Sequence, residues 1–169
     1  VKQDPRFNIP DRENSKKYSA LKKIESMISK TEQAVSILRD SKKIADNYTK
    51  DLKEADKEKY EESIKLSKAM SDSLSTMMDQ FIGKEDKRQG ITLDYNVYVT
   101  DRIRLAQAYV GNQMGVPSAT ETDLIEKAEV ALKEQLEKVN NFFKNEWVDY
   151  RKEMETIKIS PFKDYEPIE

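Results

Sequence analysis

Neighbouring charged residues are the first places in this chain to test for catalysis. Asp101 and Arg102 are adjacent and Arg104 follows, a set that an active site could use as a general acid and an anion clamp. The same residue types also form ion pairs, or stand at the start of a helix, where the helix dipole favours an acidic side chain. We favour the second interpretation because structural roles for such charges are far more common.

Two pairs of acidic residues, Glu61 with Glu62 and Glu153 with Glu155, have the residue types of a glycosidase site. Glycoside hydrolysis needs two carboxyl groups that face each other across a cleft at roughly 5 to 10 Å. Neighbouring positions on an exposed helix do not face each other. We therefore interpret both pairs as solvated surface.

The aromatic residues Phe143, Trp147 and Tyr150 could form a platform on which a sugar stacks. They recur at positions i, i+4 and i+7, the spacing at which an amphipathic helix presents one face to a core. Large aromatic side chains at this spacing usually contribute packing. We favour packing here as well.

Histidine and cysteine are both absent. Their absence excludes thiol catalysis, disulfides, zinc bound by cysteine or histidine, and any catalytic triad that uses an imidazole. It also removes the Glu-x-x-His motif of di-iron helix bundles. The sequence therefore predicts no catalytic residue, no metal site and no cofactor in this chain.

Charge and hydrophobicity limit the classes of partner that we expect for this chain. Thirty basic and thirty-two acidic residues give a net charge of −2, and the two signs are interleaved along the chain. Phosphate binding needs a concentrated basic patch, so we expect no nucleic acid partner. No apolar run approaches the roughly 18 residues that cross a bilayer, so we expect no membrane insertion.

Composition predicts one all-α domain. Charged and hydrophobic residues each make up 37% of the 169 residues, with only four glycines, a profile typical of helices with solvated outer faces. The apolar spacing predicts helices at about 11–52, 56–82, 93–114 and 120–157. An extended lead-in (1–10) precedes them, and a proline-bearing tail (159–169) follows, which we expect to pack partly on the bundle.

Local signals set the predicted boundaries. Gly83 follows the second apolar stripe in the position of a C-terminal residue with left-handed backbone. Ser118 with Glu121 fits a capping box for the last helix, and Thr120 with Asp123 is the competing frame. Segment 91–100 has strand propensity, but we assign its end to a helix because no second strand is available to pair with it.

The lengths predict an antiparallel up-down-up-down four-helix bundle with a long first and a long last helix. In this arrangement the start of the first helix and the end of the last meet at one end and overhang the shorter pair. We expect the tail, with Phe162 and Tyr165, and segment 83–92 to cover them. The predicted interaction surface comprises Tyr18, Leu21, Ile24, Trp147, Tyr150 and Met154.

Two motifs carry a resemblance to a known family. The first is Val1-Lys2-Gln3-Asp4-Pro5-Arg6, and the second is Asp101-Arg102-Ile103-Arg104-Leu105, followed by Pro117-Ser118-Ala119-Thr120 and a late Trp147. Together they resemble the C-terminal helical region of large exported bacterial proteins with sortilin-like BNR (Asp-box) propeller repeats, often labelled glycosyl hydrolases. The resemblance implies a domain of a secreted, periplasmic or cell-envelope protein, and the start at Val1 without a methionine or signal peptide is expected for an excised piece.

Three functional hypotheses follow. The first, which we favour, is a non-catalytic structural or interaction domain that packs against upstream domains of the same chain or against another protein. The second is an accessory domain that contributes to a glycoside hydrolase site or to carbohydrate binding. The third is a free-standing ligand-binding or coiled-coil bundle, which would form an oligomer along an exposed apolar seam.

Overall fold

The computed structural model describes residues 10–84, 97–112 and 114–158, and every regular element in this part of the chain is a helix. The elements are α1 (Asp11–Asp56), α2 (Glu61–Ile82), α3 (Val99–Asn112), α4 (Ala119–Lys144) and α5 (Glu146–Thr156). The predicted all-α class is confirmed.

Helix α1 is longer than predicted. It begins after Pro10, whose carbonyl oxygen accepts the N–H groups of Glu13 and Asn14, and it continues to Asp56 rather than ending near residue 52. Leu52 is fully buried, and residues 53–56 contain no glycine or proline that would end the helix. The turn predicted at 53–55 lies instead at 57–60, where the Asp56 carboxylate accepts two backbone N–H groups.

Gly83 follows the end of α2 as predicted and has a positive φ of 81°, but its ψ of 166° is extended rather than the left-handed helical conformation that was predicted. A Cβ atom at this position would lie 2.7 Å from the ring of Tyr98, so the ring packs directly on the glycine. Helix α3 is shorter than the predicted span 93–114, since Val97, Tyr98 and Met114 are not helical. Residues 85–96 and 113 lie outside the described part, as does most of the segment whose strand propensity was ambiguous.

The capping box at the start of α4 is confirmed. The backbone N–H of Ser118 donates to the Glu121 carboxylate at 2.6 Å, and the N–H of Glu121 donates to Ser118 Oγ at 3.4 Å. Two N–H groups at the helix start, which have no partner within the helix, are thereby satisfied.

The predicted single helix at 120–157 is interrupted by a kink at Asn145, which has φ −114° and ψ −80°. The i→i+4 backbone bonds on both sides of it remain, from Asn145 to Asn141 and from Asp149 to Asn145. The Asn145 side chain also donates to the Asn141 carbonyl at 3.0 Å. Such a side-chain bond competes with the helix ladder and is a recognised cause of bending.

Contacts with α1 give the direction of α2. Ser71 lies against Lys42 and Asp46 of α1, while Ile82 at the end of α2 lines a hollow together with Val35. Because rising numbers in α2 meet falling numbers in α1, α2 runs antiparallel to α1.

Helix α3 continues in the same direction as α2. Thr100 in its first turn lines the hollow that also contains Ile82 and Val35. Near its end, the Gly111 carbonyl oxygen accepts a hydrogen bond from Lys17 Nζ at 3.4 Å. α2 and α3 therefore follow one another along α1.

Helices α4 and α5 return parallel to α1. Glu129 of α4 pairs with Lys23 at 2.6 Å, and the ring of Tyr150 in α5 contacts the ring of Tyr48 with centroids 6.4 Å apart. The described chain thus forms three rods, namely α1, α2 with α3, and α4 with α5.

The predicted up-down-up-down order is therefore wrong at the third helix. The prediction assumed that consecutive helices reverse direction, which holds when the connections are short. The segment between Ile82 and Val99 is long enough to avoid that reversal. α2 and α3, with 22 and 14 residues, together approach the length of α1 with its 46 residues.

Candidate functional site

The six residues predicted as one interaction surface lie at opposite ends of the bundle. Tyr18 and its neighbours are near the end of α3, whereas Tyr150 contacts Tyr48 near the other end of α1. Tyr18 and Tyr48 are thirty positions apart in α1, which corresponds to about 45 Å at 1.5 Å per residue. The prediction that the two groups meet is therefore wrong. It assumed that α3 runs parallel to α1, whereas α3 runs antiparallel to α1.

The α5 end is closed by contacts of its own. Tyr150 is 3% exposed and Met154 is 2% exposed. The Tyr150 hydroxyl donates to Ser67 Oγ at 3.0 Å, and the Ser67 hydroxyl lies 3.6 Å from Met154 Sδ. Burial raises the pKa of the Tyr150 hydroxyl above its ordinary value. These residues fasten α5 to α2 and present no surface to a partner.

An aromatic cluster extends this closed end, and its members are Tyr48, Phe142, Phe143, Trp147 and Tyr150. Successive rings contact each other at centroid distances of 5.4 Å from Phe142 to Phe143, 5.8 Å from Phe143 to Trp147 and 5.4 Å from Trp147 to Tyr150. Phe143 and Trp147 are half-buried and pack on the core. The geometry matches the packing interpretation of these aromatics. The predicted cover by the tail lies outside the described residues.

The α1 start is open. Tyr18 is 62% exposed, Leu21 is half-buried and Ile24 is fully buried. Tyr18 and Leu21 line a hollow of about 440 Å³ that ends at Ile28 and Gln107. The part of the predicted surface that faces solvent is therefore Tyr18 with Leu21, while Ile24 belongs to the core.

A second hollow of about 440 Å³ continues the first. The two hollows are adjacent, because Ile28 and Gln107 line both of them, and we call the pair the α1–α3 groove. Its lining residues on α1 are Tyr18, Leu21, Glu25, Ile28, Glu32, Val35 and Arg39, with others between them. Its lining residues on α3 are Thr100, Ile103, Arg104 and Gln107. Ile82, the last residue of α2, also lines it.

The seven α1 residues are separated alternately by three and four positions. This is the spacing of a coiled-coil seam, in which one face of a helix stays directed toward a neighbouring helix. Leu21, Ile28 and Val35 make every second position of the seam apolar. From Leu21 to Val35 these apolar positions span about 21 Å along α1, and all three side chains also pack on the core of the chain.

Charged side chains occupy the seam positions that alternate with these apolar ones. Glu25 forms an ion pair with Lys22 at 2.7 Å. Glu32, Arg39 and Arg104 line the second hollow. Ile82 is 49% exposed beside the two arginines. Sequence reasoning did not identify Arg39 or Ile82 as site residues, and it considered Arg104 only as part of an anion clamp beside Asp101. The seam spacing on α1 was a signal that could have identified Arg39, whereas Ile82 and Arg104 reach the groove only through the direction of α2 and α3.

A polar network between α1 and α2 is a second candidate site. The Ser71 hydroxyl donates to Asp46 Oδ1 at 2.6 Å, and Lys42 Nζ donates to Ser71 Oγ at 2.9 Å and to Asp46 Oδ2 at 2.8 Å. A serine beside a lysine has the residue types of nucleophilic catalysis. Ser71 is buried, however, and its oxygen already accepts a bond from an ammonium group. The network fastens α1 to α2.

Opposing effects set the pKa of the Asp46 carboxyl. Partial burial raises the pKa, while the hydrogen bonds from Lys42 and Ser71 and the charge of Lys42 lower it. The lowering effects are together larger, so the pKa of Asp46 lies below its ordinary value.

The charged sets considered first for catalysis have structural partners. The Asp101 carboxylate accepts the Tyr98 backbone N–H at 3.2 Å, at the start of α3. Glu61 pairs with Lys65 at 2.7 Å, and Glu155 pairs with Arg151 at 3.3 Å, both within one helix. These contacts match the helix-start and surface interpretations.

Within residues 10–84, 97–112 and 114–158, no three acidic side chains lie close enough to hold a metal ion. None of the helices described combines the length and hydrophobicity that a membrane span requires.

Comparisons of the chain with models of protein families, with curated proteins and with solved structures found no match. The geometry of the α1–α3 groove therefore carries the functional proposal.

Proposed function

We propose that this chain is a non-catalytic interaction domain that docks a protein partner along the α1–α3 groove. The observation that carries the proposal is the seam of seven α1 residues, spaced by three and four, that lines two adjacent hollows together with α3. Grooves of this kind accept the apolar face of a helix, which anchors at i, i+3, i+4 and i+7.

The exposed apolar residues of the groove suit this role. Tyr18 and Ile82 keep 62% and 49% of their surface open at the two ends of the groove. Tyrosine is among the residues that most often dominate binding energy at interfaces. The charged side chains of Glu32, Arg39 and Arg104 in the same hollow add the polar contacts that interfaces combine with apolar ones.

The resemblance in the lead-in and in the Asp101–Leu105 junction extends the proposal to a parent protein. In this extension the chain is the C-terminal domain of a larger secreted, periplasmic or cell-envelope protein, and the docked partner is an upstream domain of that protein or a separate protein. The sequence of the full-length gene tests the extension directly, since it encodes an upstream propeller or it does not.

Binding tests the proposed function. The segments encoded upstream would be expressed separately and titrated with this chain by calorimetry. We expect Tyr18→Ala and Ile82→Lys each to weaken binding by about tenfold or more, because each removes an apolar anchor. Val130→Lys is the matched control, since Val130 is 56% exposed on α4 away from the groove. Binding that is equally tight in all three variants would refute the groove as the docking surface.

A further inference from the structure

We propose that the proline-bearing tail (159–169) docks, as a polyproline II segment, on a second apolar surface of its own chain. This surface comprises Ile37, Ile44 and Tyr48 of α1 with Trp147 of α5, and we call it the α1–α5 face. The docking is independent of the proposed function, because it uses the other side of α1. Ile37 is two positions from Arg39 of the groove, which places the two side chains about 160° apart around the helix.

The α1–α5 face is apolar and partly open. Ile37 and Ile44 keep 53% and 45% of their surface exposed, and their spacing of seven places them on one side of the helix. Tyr48, one turn beyond Ile44, is half-buried and contacts Tyr150 of α5. Trp147, 5.4 Å from Tyr150, is also half-buried. A row of apolar side chains thus runs for about 17 Å along α1 and joins the aromatic cluster.

The tail has an apolar residue at every third position, namely Ile159, Phe162, Tyr165 and Ile168. Polyproline II has three residues per turn, so this spacing places all four on one side. Pro161 and Pro167 favour that conformation and exclude a helix. Proline-rich segments dock on surfaces lined by aromatic side chains, and the α1–α5 face is of this kind.

The tail starts close to this face. Ile157 follows α5, packs on the core and has extended backbone, with φ −85° and ψ 115°. Helix α5 runs parallel to α1, and Tyr150 is level with Tyr48, which its ring contacts. Lys158 is eight positions after Tyr150 and so lies about 12 Å beyond that level. A tail that turns back from Lys158 runs antiparallel to α1 along the α1–α5 face.

The rise of polyproline II sets the register of the tail. At 3.1 Å per residue, Phe162 lies about 12 Å from Lys158, which is the distance back to the level of Tyr48. Trp147 belongs to the same aromatic cluster as Tyr48. Phe162 is therefore the tail residue that covers the exposed part of Trp147.

The next two apolar residues of the tail meet the two isoleucines. Tyr165 and Ile168 lie about 9 Å and 19 Å beyond the level of Phe162. Ile44 and Ile37 lie about 6 Å and 17 Å beyond that same level along α1. Each tail residue therefore arrives within about 3 Å of the level of an isoleucine, Tyr165 first and Ile168 second.

One charge beside this face also suits the tail. Glu129 pairs with Lys23 of α1, and Lys144 is fifteen positions further along α4, on the same side of that helix. Since α4 runs parallel to α1, Lys144 is level with Ile37. It is exposed and forms no ion pair with the residues that the structure describes. Glu166, between the two tail residues that meet the isoleucines, supplies a carboxylate at this level.

Disulfide trapping in the full chain tests the register, since the chain has no cysteine. The pair Ile44→Cys with Tyr165→Cys should oxidise within one chain at least about tenfold faster than Lys43→Cys with Tyr165→Cys, because docking raises the effective concentration of the two thiols. Lys43 is the matched control, as it is exposed at the same level but faces another side of α1. Gel mobility without reductant, followed over time, measures both rates.

Fluorescence provides a second readout, because Trp147 is the single tryptophan. Phe162→Ala should shift its emission to longer wavelength and increase its quenching by iodide, since water then reaches the exposed part of the ring. Lys163→Ala should change neither, because the next position of polyproline II faces another side. Circular dichroism verifies that the helices are unchanged in both variants.

Equal oxidation rates for the Ile44 and Lys43 pairs would overturn the docking, and so would an emission of Trp147 that does not respond to Phe162→Ala. Disulfides that form only between two chains would assign the α1–α5 face to the tail of a second copy and would also refute docking within one chain. Binding at the α1–α3 groove is measured separately with Tyr18→Ala, so a failure of one proposal leaves the other standing.

Discussion

Tyr150 and Met154 at the α5 end are almost fully buried between neighbouring helices, whereas Tyr18 at the α1 start keeps most of its surface open. Both ends carry aromatic residues on apolar helix stripes. The difference is that α5 packs against α2 and reaches Tyr48, while the start of α1 borders an open groove that it lines together with α3.

This difference separates two uses of the same residue types. At the closed end, aromatic side chains satisfy each other and Ser67, so their contribution is to stability. At the open end, Tyr18 keeps 62% of its surface exposed, so binding is the contribution that we propose for it. Amphipathic spacing alone does not distinguish the two, because it gives the face of the helix and not what covers it.

The largest expected effect contrasts two tyrosines. Tyr150→Ala should lower the free energy of unfolding by about 3 to 5 kcal/mol, because it leaves a cavity and removes the hydrogen bond that the buried Ser67 Oγ accepts. Tyr18→Ala should change it by no more than about 0.5 kcal/mol, as expected of an exposed position. Urea unfolding followed by circular dichroism measures both values. Similar losses at the two positions would remove the distinction between a closed and an open end.

The next effect concerns the joint between α2 and α3. Gly83→Ala should cost about 1 to 3 kcal/mol, since the positive φ strains any side chain and the added Cβ would press on the Tyr98 ring. Gly111→Ala is the matched control. It lies in α3 with nothing within 4 Å of its added Cβ, so it should stabilise the fold by about 0.5 to 1 kcal/mol. Urea unfolding measures both changes in the free energy of unfolding. A decrease for Gly83→Ala with an increase for Gly111→Ala would confirm that Tyr98 packs on Gly83, and changes of the same sign would contradict it.

A smaller effect is expected near the open end, at the start of α4. Ser118→Ala should cost about 1 kcal/mol, because it removes the side-chain half of the capping box. Ser19→Ala, whose hydroxyl bonds the Ser15 carbonyl on the surface of α1, should be nearly neutral by the same thermal or urea measurement. A loss at Ser19 as large as that at Ser118 would argue against a specific role for the cap.

The smallest effect is the pH dependence of the network between α1 and α2. The pKa of Asp46 is lower in the folded state than its ordinary value of 3.8. Its contribution to stability is therefore present above that value and is lost as pH falls through the lower folded value. Asp46→Asn should unfold with a shallower acid dependence between about pH 5 and 2, measured by urea midpoints at several pH values. An unchanged slope would show that Asp46 is not tied to Lys42 and Ser71.

Short-range signals in the sequence predicted much of the fold. The apolar spacing of α1, the positive φ at Gly83 and the Ser118 capping box each depend on residues within a few positions of one another. The kink at Asn145 was missed because it depends on one side-chain bond that competes with the helix ladder. Asparagine often occurs in helices without such a kink.

The direction of α3 was the error with the largest consequence. The direction of α3 depends on the long connection that precedes it and on the part of α1 against which each helix packs. The spacing of apolar residues within one helix encodes neither. Tyr18 and Leu21 were predicted as site residues from α1 alone. Arg104 and Ile82 were not assigned to the groove because they join it from helices far along the chain, and Trp147 was assigned to the wrong end for the same reason.

A distance between the two ends tests the central claim most directly. The chain has no cysteine, so spin labels at Lys22→Cys and Lys152→Cys are unique, and both positions are exposed. Pulsed electron resonance on labelled chains diluted with unlabelled protein reports the separation within one copy. We predict about 45 Å, the distance that thirty residues span along α1. A separation under about 25 Å, roughly two helix diameters, would mean that the ends meet and would contradict the account.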